Sequence, residues 1–356
     1  MKYPQHSHSA SRAQRGFSLV EMMIAMVIGL ILIAGVIQIF ISSKQSYRVQ
    51  DSMGRLQENA RFAMDFLSRE VRMAGFTGCF KGNPTTMENI LNNASDYSWS
   101  VNNMVAGNEA TSATAWSPAL DASLTGMVKP GTDVITIRHM SSQGINLSSP
   151  YNNSAQLFVN DPTGLNLGDI LMVTDCTQGS IFQATNISYS SSSHKYDVVH
   201  SNSGPYTPGN ANPLMANSYG PGSEIAKLVN SVFFVGTGTN GDPALFQRSL
   251  QLVGNTSTMV NQELVDNVDD MQILYGEDTD NDGSANVYVT ADAVTNMDNV
   301  VSVRISLLMR TADDHLIPTK QVYTYDTYSG SSHTASDYRI RRVFNSTVKL
   351  RNRGVL

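Results

Sequence analysis

The chain has little cysteine: its 356 residues include only Cys79 and Cys176. Two isolated cysteines exclude the paired CxxC spacing of a structural zinc site and the CxxC motif of a redox enzyme. They form either one disulfide or two buried thiols. The compartment decides between these states, because disulfides persist where conditions are oxidising and are rare in the cytosol.

Motifs of common enzymes are also missing. The seven histidines form no HExxH pair, and the chain has neither a GxSxG elbow nor a Walker phosphate loop. His194 and His200 stand near serines 191–193, but a nucleophile and its base need a rigid frame, and this stretch is rich in loop-forming residues. We therefore predict that the protein is not an enzyme, and we name no catalytic residue.

Charge is nearly absent from one segment close to the amino terminus. From Phe17 to Ile41, 25 residues, the only charged side chain is Glu21. At about 1.5 Å per residue, such a helix crosses a hydrocarbon core of about 30 Å. We therefore predict a transmembrane helix over residues 17–41. A charge inside that span is costly, so Glu21 is a candidate functional residue that needs a cationic partner.

The leader, residues 1–16, lacks acidic side chains. It carries Lys2, Arg12 and Arg15, and the positive-inside tendency keeps such a segment in the cytoplasm. The chain beyond Ile41 is therefore expected outside the cytoplasm, where Cys79 and Cys176 would form a disulfide.

The remaining charge is acidic overall. Without the three leader cations, 21 of the 24 basic residues face 30 acidic ones, a net charge of −9 with histidines neutral. This balance argues against general nucleic-acid binding. One basic cluster lies near the carboxyl end: Arg339, Arg341, Arg342, Lys349, Arg351 and Arg353. We interpret it as the exposed face of a terminal strand whose charges deter edge pairing. Binding of DNA, acidic lipid or an acidic partner is the minor alternative.

A possible cut site and an acidic residue lie at a short, defined spacing where the apolar run begins. Gly16 directly precedes Phe17, and Glu21 is the fifth residue counted from Phe17. With the basic leader, this combination resembles a type IV prepilin and its class III signal peptide. The resemblance implies that a prepilin peptidase cuts after Gly16 and methylates the new amino terminus at Phe17. It further implies that Glu21 attracts the amine of a neighbouring subunit during assembly.

Two simpler interpretations fit less well. An ordinary secretory signal has an apolar stretch of about 7 to 15 residues before a small-residue cut site. Ala34-Gly35 resembles such a site, but the run is too long and contains Glu21. A plain signal anchor would have no reason to place an acid there.

The helix is predicted to continue past the membrane as an amphipathic segment over residues 42–75. Apolar residues recur there every three or four positions, charged residues occupy the other faces, and Gly75 is a plausible carboxyl-terminal cap. This apolar stripe needs a partner surface, which a packed domain would supply: Val49, Met53, Leu56, Ala60, Ala63, Leu67, Val71 and Ala74.

Residues 76–356 are predicted to form a β-rich periplasmic or extracellular domain, which gives an α+β, pilin-like fold. Residues 92–118 and 188–223 are polar and are expected to be surface loops, the second of them a possible subdivision. Runs rich in Val, Ile, Thr, Tyr and Phe predict strands at 133–138, 156–159, 170–174, 196–199, 225–235, 271–275, 287–290, 300–309, 321–325 and 339–350.

Patches in the same order along the chain resemble the PilW family of minor pilins: 57–63, 75–79, 168–171, 175–176, 275–276, 303–305, 342–344 and 350–352. The resemblance implies a low-abundance subunit that helps prime type IV pilus assembly, sits at or near the tip, and supports twitching motility and surface attachment. The implied partners are the prepilin peptidase, other minor pilins, the major pilin, the inner-membrane assembly platform and a tip adhesin. The implied location is the inner membrane, and after assembly the pilus fibre. The alternatives are a type II secretion pseudopilin and a calcium-dependent adhesive module at the tip.

An acidic loop is the other distinctive motif. Asp278, Asp280 and Asp282 alternate, and Gly283 permits a tight turn, which suits calcium coordination by oxygen atoms. Val289 stands where an EF-hand has glutamate, and strands rather than helices flank the loop. A solvated hairpin turn is the competing interpretation.

Overall fold

The computed structural model describes residues 16–80, 83–325 and 332–353. The leader cations Lys2, Arg12 and Arg15 lie outside these ranges. The chain divides into two compact units, Met1–Ser52 and Met53–Leu356.

One long helix dominates the amino-terminal part. Helix α1 runs over Leu19–Met73, close to the predicted bounds. By length and composition it is able to cross a membrane. In the first unit its large apolar side chains are exposed, as lipid insertion requires; Leu19 and Ile39, for example, are 75% and 72% exposed.

The helix ends at a glycine, as predicted. Gly75 has φ +72°, a conformation that glycine adopts without steric cost. The N–H of Gly75 donates to the carbonyl of Arg138 at 2.9 Å. From the far end of the chain, Asn352 Nδ2 lies within 3.4 Å of the carbonyl oxygens of Arg72, Met73 and Ala74. The final carbonyls of α1 therefore find partners in the domain.

Ten strands precede residue 200 in the described part of the chain. They are β1 Glu88–Asn89, β2 Val105–Ala110, β3 Trp116–Ser117, β4 Val134–Met140, β5 Ile145–Asn146, β6 Gln156–Val159, β7 Ile170–Thr174, β8 Gly179–Gln183, β9 Asn186–Ser190 and β10 Lys195–Val199.

The strands after residue 200 include the longest ones. They are β11 Glu224–Thr237, β12 Pro243–Val253, β13 Thr256–Asp266, β14 Val268–Glu277, β15 Val287–Val289, β16 Val300–Arg310, β17 Val322–Thr324, β18 Ser332–Thr334 and β19 Arg341–Lys349.

Two large sheets build the domain. The first has the order β1-β8-β7-β11-β4-β2-β3, with β5 and β12 also on β11 and β13 on β12; the second has the order β15-β14-β16-β19. Strand β11 organises the first sheet, because its start pairs with β7 and its end pairs with both β4 and β12. Smaller sheets are β6-β10-β9 and β17-β18. The predicted α+β class is confirmed.

The part of α1 beyond Met53 packs against both large sheets. Its stripe from Leu56 to Ala74 shares one buried cluster with Ile135 and Phe233 of the first sheet and Ile305 of the second. Burying one large aliphatic side chain stabilises by about 1.5–3 kcal/mol, so this cluster is a main source of stability. The predicted apolar stripe of the helix is therefore confirmed over this part.

Every predicted strand has a counterpart, but the two expected surface loops are partly wrong. Residues 92–118 contain β2 and β3 and bury Trp99 and Met104. Residues 188–223 contain β10 and bury Met215 and Tyr219, each 2% exposed. These few apolar anchors are enough because polar side chains satisfy the local backbone. Asn210, for example, bonds the N–H and the carbonyl of Gln183 at 2.7 and 2.9 Å.

A disulfide joins Cys79 to Cys176, 97 residues apart. Cys79 follows the end of α1, and Cys176 lies in the turn between β7 and β8. The bond therefore links the segment after the helix to the first sheet.

We expect removal of this bond to destabilise the domain. In the chain-entropy model, closing a loop of this length stabilises by about 4 to 5 kcal/mol. The double variant Cys79→Ala with Cys176→Ala should unfold at lower temperature than the parent chain, as measured by circular dichroism in mild detergent. Reducing agent should lower the unfolding temperature of the parent chain but not that of the double variant; equal unfolding temperatures for the two chains would contradict the prediction.

Candidate functional site

The first turn of α1 holds Glu21 in a local hydrogen bond. The N–H of Ser18 donates to Glu21 Oε2 at 3.4 Å, and the N–H of Met22 donates to the carbonyl of Ser18 at 3.1 Å. Ser18 and Glu21 have the S-x-x-E spacing of a capping box, in which the glutamate accepts from the N-cap N–H. Glu21 thus has a capping role available in addition to pairing with an amine.

The predicted cut site directly precedes this turn. Phe17 is 85% exposed, and apart from Gly16 and its two neighbours no described heavy atom lies within 4 Å of the position that a Cβ on Gly16 would occupy. The peptide bond between the two residues is thus sterically open. Gly16, Phe17 and Glu21 lie together within the first turn and its approach, as their spacing predicts.

The three acidic side chains of the 278–283 loop also lie together. One carboxylate oxygen from each of Asp278, Asp280 and Asp282 falls within 4.8 Å of the others. The N–H groups of Asp282 and Gly283 donate to the Asp278 carboxylate at 3.2 and 2.7 Å. Burial acts to raise the pKa of Asp278, but bonds from the backbone of Gly283, Asn281 and Asp282 hold the pKa of that carboxyl below its ordinary value. The loop therefore keeps Asp278 charged.

This oxygen-rich set is chemically suited to a hard cation such as calcium. The same bonds also make a complete turn without an ion, and Lys349 Nζ donates to the carbonyl of Gly283 at 3.0 Å. Both interpretations of the loop remain, and calcium binding stays a prediction.

Two families match the chain at its two ends. Residues 11–37 match the Prokaryotic N-terminal methylation motif, and residues 232–352 match Type IV Pilus-assembly protein W. Together, the two matches support a PilW-type minor pilin. No curated protein and no solved structure gives a significant match to the chain.

The PilW match begins within β11 and continues past β19, so it includes the second sheet and the acidic loop. The methylation-motif match includes Gly16, Phe17 and Glu21. A type IV pilus minor pilin is a membrane-anchored structural subunit that interacts with other pilus components, and its family is not one of enzymes. This agrees with the expectation drawn from the missing enzyme motifs.

One glycine pattern in this chain resembles a nucleotide site. Gly236, Gly238 and Gly241 have GxGxxG spacing after a strand. The dinucleotide fingerprint needs a helix next, whose amino terminus binds the pyrophosphate. Here the glycines form the turn from β11 into β12, so the pattern does not indicate a cofactor site.

A pair of carboxyls, missed at the sequence level, lies where the two large sheets meet. Asp133, 2% exposed, accepts the N–H of Ala110 at 2.9 Å and the N–H of Ile273 at 2.8 Å, one from each sheet. Glu109 lies close enough to Asp133 for the two carboxyls to interact. Tyr275 is buried beside them, and its hydroxyl has no hydrogen-bond partner among the described residues.

Burial raises the pKa of both Glu109 and Asp133, and their proximity to each other raises the pKa of Glu109 further. Asp292 acts on Glu109 and Asp270 on Asp133 in the same direction. Burial also raises the pKa of Asp270 to about 6, with Lys129 opposing. The folded domain therefore holds protons here that an unfolded chain releases.

We expect the domain to lose stability as pH rises. Between the ordinary carboxyl pKa and the raised one, the folded state binds more protons than the unfolded state, so the free energy of unfolding falls with increasing pH. Glu109→Gln keeps an uncharged hydrogen-bonding group and should flatten this fall. Unfolding temperatures of the full chain in detergent, measured from about pH 5 to about pH 9, test this. Asp65→Asn, at an exposed acid of α1, should keep the parent slope; an equal slope for Glu109→Gln would refute the assignment.

Proposed function

We propose that this minor pilin helps to prime type IV pilus assembly and occupies a position at or near the pilus tip. In this role it supports twitching motility and surface attachment. It is inserted in the inner membrane with its amino terminus in the cytoplasm and the domain in the periplasm, and it later enters the fibre. Its partners are the prepilin peptidase, other minor pilins, the major pilin, the assembly platform and a tip adhesin.

The observation that carries the proposal is the presence of two separate signals in one chain. A methylation motif with a single acid in an uncharged span precedes a domain whose carboxyl-terminal part matches a pilus-assembly family. An amine created on Phe17 would be a fitting partner for Glu21, because a charge in hydrocarbon is stabilised by an opposite charge.

Substitution of Glu21 tests the assembly role. Glu21→Ala should be cleaved after Gly16 but fail to support piliation, because the amine of a neighbour loses its counter-ion. Mass spectrometry of the mature amino terminus measures cleavage, and immunogold labelling of sheared filaments measures incorporation. Asp65→Ala removes an exposed acid from the same helix and should assemble normally.

Glu21→Gln separates charge pairing from helix capping. It retains an oxygen that accepts the N–H of Ser18 but carries no charge, so it should fail as Glu21→Ala does. Full piliation with Glu21→Gln would refute the charge-pairing role. A mature chain that retains its first sixteen residues, or begins near Ala34, would refute the processing step.

A deletion strain distinguishes the pilus subunit from a secretion pseudopilin. Loss of the chain should abolish twitching and leave exoprotein release intact. The reverse pattern would contradict the proposal. Deletion of residues 188–223 is not a clean test of an adhesive role, because this segment contributes Met215 and Tyr219 to the core.

We also propose that the loop of Asp278, Asp280 and Asp282 binds calcium. Each carboxylate has acceptor capacity beyond its bonds within the loop, and Gly283 with φ +82° provides the turn that brings the first and third acids together.

Calcium should raise the unfolding temperature of the full chain in detergent relative to a chelator. At a calcium concentration 100 times the dissociation constant, the stabilisation is about 2.7 kcal/mol. Asp280→Asn should abolish the increase, whereas Asp161→Asn, at an exposed acid in another loop, should retain it. An unfolding temperature that does not respond to calcium would exclude the site.

A further inference from the structure

An acidic groove with an exposed aromatic ring lies beside the outer half of α1. It has a volume of about 680 Å³, and its walls are α1, the turn between β11 and β12, and the end of β13. Glu58 and Phe62 come from the helix, and Glu263, Leu264 and Asp266 come from the strand. Among the residues that the structure describes, no Lys, Arg or His lines it.

A β-bulge builds the strand side of the groove. Leu245 pairs with Val265 and Phe246 pairs with Glu263, so Leu264 is an extra residue on β13. Side chains of a regular strand alternate between its two faces. The four consecutive residues from Glu263 to Asp266 all border the groove, but Val265 is 5% exposed and its side chain belongs to the core. Glu263 and Asp266 therefore supply the charge of this wall, and bulges are frequent beside functional sites.

Local hydrogen bonds hold two of the carboxylates in place. The N–H of Thr239 donates to Glu263 Oε2 at 2.8 Å, and Asn59 Nδ2 donates to Asp266 Oδ1 at 2.9 Å. Neither these two acids nor Glu58 forms an ion pair within the described part of the chain. No salt bridge among the described residues therefore neutralises these three carboxylates.

Aromatic rings support the exposed Phe62 side chain of the groove. Phe62 is 51% exposed, and its ring lies 6.1 Å from that of Phe66, which in turn lies 6.1 Å from that of Phe233 in the core. Half of a large apolar ring therefore faces solvent on a rigid base. Interface centres commonly combine such a ring with charged anchors.

The nature of the groove selects its occupant. Among the described residues, only the 278–282 acids come close enough together to hold a metal ion, so these groove carboxylates suit a larger cation. Arginine offers a planar fork for carboxylates and a face that stacks on an aromatic ring. We propose that this groove docks an arginine with an adjacent apolar side chain from a neighbouring pilin subunit. The inference rests on the proposed assembly function, which supplies such neighbours.

Photocrosslinking in cells that assemble pili tests the groove with the full chain. When p-benzoylphenylalanine replaces Phe62, light should join the chain to another pilin through a peptide that contains an arginine beside an apolar residue. The same probe at Tyr189, which is 54% exposed and lies outside the groove, should not give this product.

Charge variants show whether the acids hold the partner. Glu58→Arg should lower the crosslink yield about tenfold, as expected when a charge pair is replaced by repulsion. The Glu58 side chain makes no hydrogen bond or ion pair with the described residues of the groove, so this variant should fold. Glu263→Arg should give a similar loss of yield, and formation of its disulfide shows that it has folded. Asp161→Arg makes the same charge change at a distant exposed loop and should leave the yield unchanged. Reversal of the crosslinked arginine to glutamate should restore the yield with Glu58→Arg.

Absence of a pilin crosslink at position 62, a crosslinked peptide without a cation, or a yield unaffected by Glu58→Arg would overturn the inference. Piliation of the same strains distinguishes this failure from failure of the proposed function. If piliation needs the chain but the crosslink is absent, only the groove assignment falls. A charge-dependent crosslink in the strain that carries the chain, together with normal piliation when the chain is deleted, would support the groove and reject the priming role.

Discussion

The close contact between α1 and both large sheets is the interaction on which the domain depends. The helix stripe from Leu56 to Ala74 is at most 3% exposed, and alanine at positions 60, 63 and 74 lets the strands approach the helix backbone. Since protein interiors are packed as densely as organic crystals, such a contact fixes the position of each partner closely. The packing of α1 on the sheets therefore positions three features of the domain: the helix end at Gly75, the disulfide that follows it and the groove beside Phe62.

Periodicity made the helix and most strands predictable. A run of apolar residues followed by a 3.6-residue repeat can form only one continuous helix, and strands such as β4 and β16 are rich in β-branched residues. The β12-β13 pair was missed because Gln, Arg, Asn, Ser and Thr occupy many of its positions. Its stability comes from pairing with β11, which composition does not reveal. The two polar segments were misjudged for a related reason, because a few anchors such as Trp99 and Tyr219 ordered them.

The functional residues also divide into those that the sequence predicts and those that only the tertiary fold brings together. Gly16, Phe17 and Glu21 are informative as sequence because their chemistry depends on spacing within one turn. Glu58 and Glu263 are 205 positions apart in the sequence, and only the tertiary fold and the bulge at Leu264 bring them to one surface. Asp133 had a weak signal, an acid directly before the Val- and Ile-rich start of β4, but nothing in the sequence pairs it with Glu109. The GxGxxG spacing is the opposite case. The pattern is typical of a dinucleotide site, but strand β12 follows it instead of the helix that binds the pyrophosphate.

The bond from Asn352 to the end of α1 has a consequence for biosynthesis. Its donor and acceptors are up to 280 residues apart, and a ribosome makes the acceptors first. The helix is thus complete as a segment early, while the carbonyls of Arg72 and Ala74 lack the Asn352 donor until residue 352 has been made. Closure of this helix end therefore waits for synthesis of residue 352, so the end of α1 and the segment after β19 reach their native contacts together.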